Sequence, residues 1–333
     1  AWQSFLAAAC RNYKCRFDEQ LLIYAQRPDA IAVAELDIWN KRFKRWVNKD
    51  SKGIAVFDPK GRRNTLKYYF DVSDTHEGYY GSRPVPIWQM NGRYEQAVVE
   101  RLSDRFGNTE STDLASALME TAKNAVEDNL QDYFSQLKGF TRDSFLEELD
   151  DLNVEVCYRR LVTNSVAFML MSRCGLDTSE HFDREDFEGI INFNTPATIN
   201  ALGIATSDIA EMGLSEISKT VMALDRENRI IDEQRQFDYN KDNKDERSQN
   251  DERNHIHDGG RLQSSEPEIA GADGSDSRQM VADEENLSEG TSQNPVLQSF
   301  DERDAYSALG GSSAESDRVG GNLGQTDGTE RGT

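Results

Sequence analysis

The chain has 333 residues and carries 60 Asp and Glu against 38 Lys and Arg, a formal charge of −22, and it is long enough for two modest domains of about 100–200 residues each. No apolar run approaches the ~20 residues that span a bilayer and no secretory leader is visible. Cys10, Cys15, Cys157 and Cys174 form no CxxC pair and read as reduced apolar side chains, so a cytoplasmic protein with no membrane partner is expected.

The acidity is unevenly distributed. Residues 1–93 hold 16 Lys and Arg against 10 Asp and Glu, net +6, whereas residues 94–224 and 225–333 each carry −14. Partner charge is read by region, so the overall −22 does not exclude a nucleic-acid surface near the N-terminus. Three regions are expected: an α+β module of helices with a β-hairpin or small antiparallel sheet (1–93), an all-α acidic bundle (94–224) and a disordered acidic tail (225–333). The chain opens at Ala1 without methionine and its linker-like tail ends at Gly332-Thr333, so the natural N-terminus and a downstream domain are expected to lie outside this sequence.

In chain order, Trp2, Phe5, Leu6, Ala9 and Tyr13 recur at helical spacing. Phe17–Gln26 predicts a second helix with Asp18 as N-cap and Leu21, Leu22 and Ala25 as its apolar stripe; Arg27-Pro28 stops it. Ile31–Ala34 is too short to assign. Asp37–Trp46 predicts a third helix in which Leu36, Trp39, Phe43 and Trp46 face a core and Lys41, Lys44 and Arg45 face solvent. A loop at 48–53 leads to a buried strand, Ile54–Phe57. Asp58-Pro59-Lys60-Gly61 has the residue preferences of a type I turn. On the returning strand Leu66, Tyr68, Phe70 and Val72 alternate with Lys67, Tyr69 and Asp71. Ser73–Gly92 reads as an ordered loop rich in aromatic residues.

Helices are predicted over 94–106, 112–137, 143–173, 184–191 and 196–224. Asp183 with Asp186 and Thr195-Pro196 supply start signals, and Gly175 supplies a stop. Residues 161–171 are apolar almost all round, which places that helix at the centre of the bundle, with Asn164 and Ser165 bonded to each other or to backbone. Beyond Leu224, Asp, Glu, Ser, Gly, Asn and Gln dominate, too little apolar area to offset an ordering entropy of about 1–2 kcal/mol per residue.

Catalytic motifs are missing. There is no HExxH, no Cys/His zinc spacing, no GxxxxGK[ST], no GxGxxG and no GxSxG. The acidic run Glu147, Glu148, Asp150 and Asp151 reads as a solvated helix face. No catalysis and no cofactor are expected from these residues. The remaining signal is cationic: Lys41, Lys44, Arg45, Lys49, Lys52, Arg62 and Arg63 are placed to track phosphates, with Trp46 and Tyr69 as base-stacking rings, the combination that single-strand binders use. Tyr79, Tyr80 and Trp88 are further rings nearby. The competing reading is a protein-interaction module whose acidic helical half docks a downstream domain or another partner.

The blocks DEQLLIYAQRPDA (18–30), LDIWNKRFKRWVNKDSKGIAVFD (36–58), YYFDVSDT (68–75), FLEELDDLNVEVCYRR (145–160), MSRCGLD (171–177) and FNTPATINALG (193–203) resemble the N-terminal region of large proteins of conjugative and other mobile elements in Firmicutes. There the first part is similar to the single-stranded-DNA-binding domain of ArdC-type antirestriction proteins, with a tryptophan-bearing helix followed by a V-x-K-G-x-K-G-I loop. Here the loop reads Val47-Asn48-Lys49-Asp50-Ser51-Lys52-Gly53-Ile54, with Asp50 at the first glycine. The resemblance implies a non-catalytic accessory region that binds nucleic acid, single-stranded DNA in particular. It further implies that a Swi/Snf-type helicase or N6-adenine DNA methyltransferase domain follows in the same polypeptide.

Overall fold

The computed structural model describes residues 1–58, 65–109 and 111–257, with the side chains of 238 and 240–257 also left out. Helix α1 (Trp2–Ala9) ends in a 3-10 turn, Cys10–Asn12. Helix α2 (Phe17–Gln26) begins one residue before Asp18, and the Glu19 carboxylate reaches back to the Arg16 amide at 3.2 Å. Its inward face is not the expected Leu21, Leu22, Ala25 stripe. Phe17, Glu19, Gln20 and Ile23 are buried, while Leu21 is 40% exposed.

Three strands make the larger sheet, in the order β1 (Val33–Glu35), β4 (Leu66–Asp71), β3 (Ile54–Phe57). Both pairings are antiparallel, Ala34 opposite Phe70 and Ile54 opposite Tyr69, so the expected hairpin is present. Its Pro59–Asn64 tip lies outside the described residues. Opposed residues in an antiparallel pair share a face: Ile54, Val56 and Tyr69 are buried beside α2 residue Ile23, and Phe57, Leu66 and Tyr68 are exposed. The core side of β4 is therefore the Lys67, Tyr69, Asp71 side, with Phe70 half-buried on the opposite face.

The expected third helix is replaced by a π-helical turn, Ile38–Phe43, and a second ribbon pairs β2 (Arg45–Val47) with β5 (Thr75–Glu77). Trp39 and Phe43 are buried with Ala34, and the Trp39 indole donates to the Phe70 carbonyl at 2.9 Å. Lys44 stops the turn in the left-handed region, φ 55°. That reverses the chain, so Trp46 sits on a strand and is 47% exposed rather than in the core. Leu36, the other end of the expected stripe, is 45% exposed.

The helical region comprises α3 (Glu95–Phe106), α4 (Leu114–Lys138), α5 (Asp151–Cys174) and α6 (Pro196–His257). The expected helix over 143–173 is broken: a 3-10 turn at Phe145–Glu148 precedes α5, which starts where the Asp150 carboxylate accepts the Asn153 amide at 2.9 Å. Gly175 ends it at φ +80°, and every residue from Ser165 to Met171 is buried, so α5 is central. Asn164 bonds to backbone as expected, whereas Ser165 bonds to the side chain of Trp2. Asn164 donates to the Asp186 carbonyl and Ser165 accepts the Trp2 indole N–H at 2.9 Å. Asp183 and Asp186 form the expected box at the start of the Arg184–Asn192 3-10 segment. Thr195 Oγ1 accepts the Thr198 amide at the start of α6.

The boundary expected at 93/94 is a change of charge and not of packing. Phe5, Leu6, Tyr13, Phe17 and Trp88 belong to the same core as α3, α4, α5 and α6, because α1 and the Cys10–Asn12 turn lie against α5. Gly203 of α6 meets Phe17 so closely that an added Cβ would fall 2.0 Å from the ring. Residues 1–224 belong to one compact unit, and the described residues from Asp225 belong to another. From Asp225 to His257 the backbone is helical where no order was expected; its Ile230, Ile231, Phe237 and Tyr239 are exposed. The expected tail over 258–333 lies outside the described residues.

Candidate nucleic-acid interface

The β2–β5 ribbon has two unlike faces. Val47 and Thr75 oppose each other on the inner face, Thr75 buried and Val47 packed against Trp39 and Phe43. Trp46 opposes His76 on the outer face, and both are exposed. Arg45 is held to the ribbon, its guanidinium donating to Thr75 Oγ1 at 2.7 Å and to the Thr75 carbonyl at 3.0 Å, with Glu77 at 3.7 Å. It thus positions the ribbon, and its donors are committed within the protein.

After β5 the chain turns back over the end of the π-helical turn. The Gly78 amide donates to the Lys44 carbonyl at 3.1 Å, and the Arg83 amide to the Phe43 carbonyl at 2.8 Å. Between these anchors, Gly81 N–H bonds Gly78 O at 2.9 Å, and Gly81 has φ +86°, a conformation glycine adopts without steric cost. Gly78 is required for another reason: a Cβ there would lie 2.8 Å from Trp46 Nε1 and 3.1 Å from the Lys44 carbonyl oxygen. The turn carries Tyr79 and Tyr80 at its tip, 96% and 98% exposed, with ring centroids 5.1 Å apart in an edge-to-face pair.

The 48–53 loop leaves the same ribbon. Asn48 donates its amide to the Asp74 carbonyl at 2.8 Å, and its side-chain oxygen meets His76 Nδ1 at 2.8 Å. Ser51 N–H closes a turn onto Asn48 O at 3.2 Å. Asp50, at the position of a glycine in the resembling loop, has no positive φ; among the described residues Lys44 and Asp143 are the non-glycine residues that do. The aspartate therefore enters the turn without backbone strain. Lys49 and Lys52 are exposed, and among the described residues neither they nor Lys44 form an ion pair.

The expected residues thus separate. Lys44, Trp46, Lys49 and Lys52 surround one exposed ribbon. Lys41 stays exposed but pairs with Asp37 at 2.7 Å. Arg62 and Arg63 lie outside the described residues. Tyr69 is corrected from a stacking ring to a core residue. It is 3% exposed, its hydroxyl is 3.1 Å from Glu19, and Lys67 Nζ covers its ring at 4.7 Å from the centroid. Burial, with the Glu19 carboxylate beside it, pushes its phenol pKa up. Trp88 is likewise buried under the Arg173 guanidinium at 3.7 Å. Tyr79 and Tyr80, expected as further rings near the basic run, are exposed at the turn beside it, whereas His76 was not expected there. The signal for the tyrosines is local: a Gly-Tyr-Tyr-Gly sequence, 78–81, presents two rings on a turn that glycines permit.

Beneath the larger sheet, Glu19 Oε1 is 2.9 Å from Lys67 Nζ, and Lys67 is 2.6 Å from Tyr69 OH. Three of the four thiols, Cys10, Cys15 and Cys174, are buried also: Cys10 is pushed up to about 11 and Cys174 to about 12 by desolvation, so both are protonated near neutral pH. Among the described residues no group of three or more His, Cys, Asp or Glu side chains could hold a metal ion, and no helix is long and apolar enough to cross a membrane. No family model, curated protein or solved structure matches the chain.

Proposed function

We propose that the outer face of the β2–β5 ribbon binds single-stranded nucleic acid, DNA in particular, as a non-catalytic accessory surface of a DNA-processing protein. The observation that carries the reading is the grouping of three exposed rings, Trp46, Tyr79 and Tyr80, with three cations that form no ion pair among the described residues, Lys44, Lys49 and Lys52. Rings of this kind take bases at about 1–3 kcal/mol each whatever the sequence, and the ammonium groups meet the phosphates between them. Because single-stranded bases are already unpaired, this surface needs no groove-reading helix. The choice of DNA over RNA, and the accessory role beside a helicase or methyltransferase domain, follow from the family resemblance.

Fluorescence anisotropy of the whole chain with labelled DNA and RNA oligonucleotides, single- and double-stranded, tests this. Three phosphate contacts to a single strand give a log–log salt slope near −2, so affinity falls about 20-fold from ~50 to ~200 mM salt. Lack of binding at ~50 mM salt, or binding indifferent to salt, sinks the proposal. Stronger binding to duplex than to single strands replaces it with a different one.

A further inference from the structure

The helical region carries a second exposed patch that the nucleic-acid reading does not use. At the end formed by the C-terminus of α4, the start of α5 and the Arg184–Asn192 segment, Phe140, Phe145, Leu149, Leu152, Val156 and Ile191 are exposed, Leu152 by 70% and Ile191 by 64%. Leu152 and Val156 stand one turn apart on α5 and share a face. The 3-10 turn at Phe145–Glu148 and the start of α5 also bring Glu147, Glu148, Asp150 and Asp151 to this end, all exposed; Lys138 approaches Asp151 at 3.8 Å. The result is an apolar ridge whose rim is mainly carboxylate, with Lys138 and Arg142 as its exposed cations. A contiguous apolar patch with a polar rim is the usual form of a protein docking surface.

Charge selects the occupant. A carboxylate-rimmed ridge fits a surface that offers rings among ammonium groups, and the described structure contains one: the ribbon of Trp46, Tyr79 and Tyr80 with Lys44, Lys49 and Lys52. Both surfaces are exposed in one folded chain, so the ribbon that fills the ridge must come from another molecule. We infer that this chain self-associates head to tail, the basic aromatic ribbon of one copy docking on the acidic apolar ridge of the next. Such a contact is heterologous, and each copy added leaves one free ribbon and one free ridge. The inference does not require the nucleic-acid reading, since it concerns the protein alone.

Sedimentation velocity on the whole chain without nucleic acid tests it, using a ribbon variant (K44E/K49E/K52E) and a ridge variant (L152N/V156N), all at exposed positions. At ~50 mM salt and up to about 100 μM protein, the wild type is expected to show a concentration-dependent series of species. At ~300 mM salt these dissolve, because exposed charge pairs are screened beyond a few ångströms. Each variant alone is expected to be monomeric. Mixed in equal amounts, the two restore a single 1:1 dimer and nothing larger, since one good ribbon faces one good ridge. A wild type that stays monomeric throughout overturns the inference, as does association that survives either variant or a mixture that does not dimerise. Failure of oligonucleotide binding leaves this result untouched, which separates the two readings.

Discussion

Lys44 gives its carbonyl oxygen to the Gly78 amide at 3.1 Å while its own backbone lies at φ 55°. A left-handed lysine costs roughly 1–2 kcal/mol, and the geometry it creates supports the turn that carries Tyr79 and Tyr80. Replacing Lys44 with glycine removes the backbone cost and the cation together. Lys44→Gly is expected to match or exceed wild-type stability by up to about 1 kcal/mol in urea unfolding, yet to weaken oligonucleotide binding and lower its salt slope by about 0.7. A loss of stability would show that the lysine side chain, not the backbone, holds the turn.

Gly78→Ala tests the same joint from the other side. The new methyl would sit 2.8 Å from the Trp46 indole nitrogen and 3.1 Å from a backbone oxygen, so the turn must move. Overpacking of this kind costs about 1–3 kcal/mol. The expected outcome is a changed Trp46 emission and a drop in oligonucleotide affinity, with far-UV circular dichroism unchanged.

Gln26 shields an open sheet edge. Its carboxamide donates to the Ala55 carbonyl at 2.9 Å and accepts the Ala55 amide at 3.0 Å, imitating a neighbouring strand along β3. Gln26→Ala is expected to cost about 0.5–1.5 kcal/mol. It also uncovers a pairing edge, so light scattering during prolonged incubation should rise faster than for the wild type.

The buried pair Glu19–Lys67 predicts an asymmetry. Lys67→Met takes the nearer cation from a carboxylate that is 1% exposed, leaving it the Arg16 amide, the Tyr69 hydroxyl and the Arg16 guanidinium at 3.9 Å, and is expected to cost about 2–4 kcal/mol. Changing both, Glu19→Leu with Lys67→Met, removes the charge and the partner and should recover most of the loss. Urea denaturation of the two variants measures the difference directly.

Asp208 accepts the Tyr133 hydroxyl at 3.1 Å, but burial is the larger influence and raises its carboxyl pKa. A carboxyl that is harder to ionise when folded binds its proton more tightly in the native state, so stability is retained at acid pH and falls as pH rises from the unfolded carboxyl value, ~4, through the raised one. Asp208→Asn keeps an acceptor for Tyr133 and never ionises. It should be more stable than the wild type at pH 7, with the gap closing below about pH 4.

Much of the architecture was legible in the residues. The β3–β4 hairpin, the αL stop at Gly175, the Thr195-Pro196 start and the central α5 all follow from local chemistry that tertiary packing did not override. Three features were not. The 36–46 stripe has helical spacing, but of its four members only Trp39 and Phe43 are buried, and a left-handed residue sends the chain into a strand. The polar inner face of α2 was invisible because Glu19 and Gln20 also take partners far away in sequence, Lys67 and Ser207, the latter 2.8 Å from the Gln20 amide nitrogen. The 93/94 boundary followed charge, which records the surface, whereas packing records the interior. Of the candidate site, the loop lysines were readable because loop composition exposes them. Tyr69 was not, because alternation in a strand tells which residues share a face and not which face is covered.

The distribution of the four tryptophans gives the ribbon an intrinsic reporter. Trp39 and Trp88 are sealed in the core, and Trp2 spends its indole N–H on Ser165; Trp46 alone stands on the outer face of the ribbon. Acrylamide should quench one emitter in four readily, and an oligonucleotide or a docked second copy should protect that same fraction. Occupancy of the surface can therefore be followed by steady-state emission of the unlabelled protein, with the other three indoles as the internal baseline.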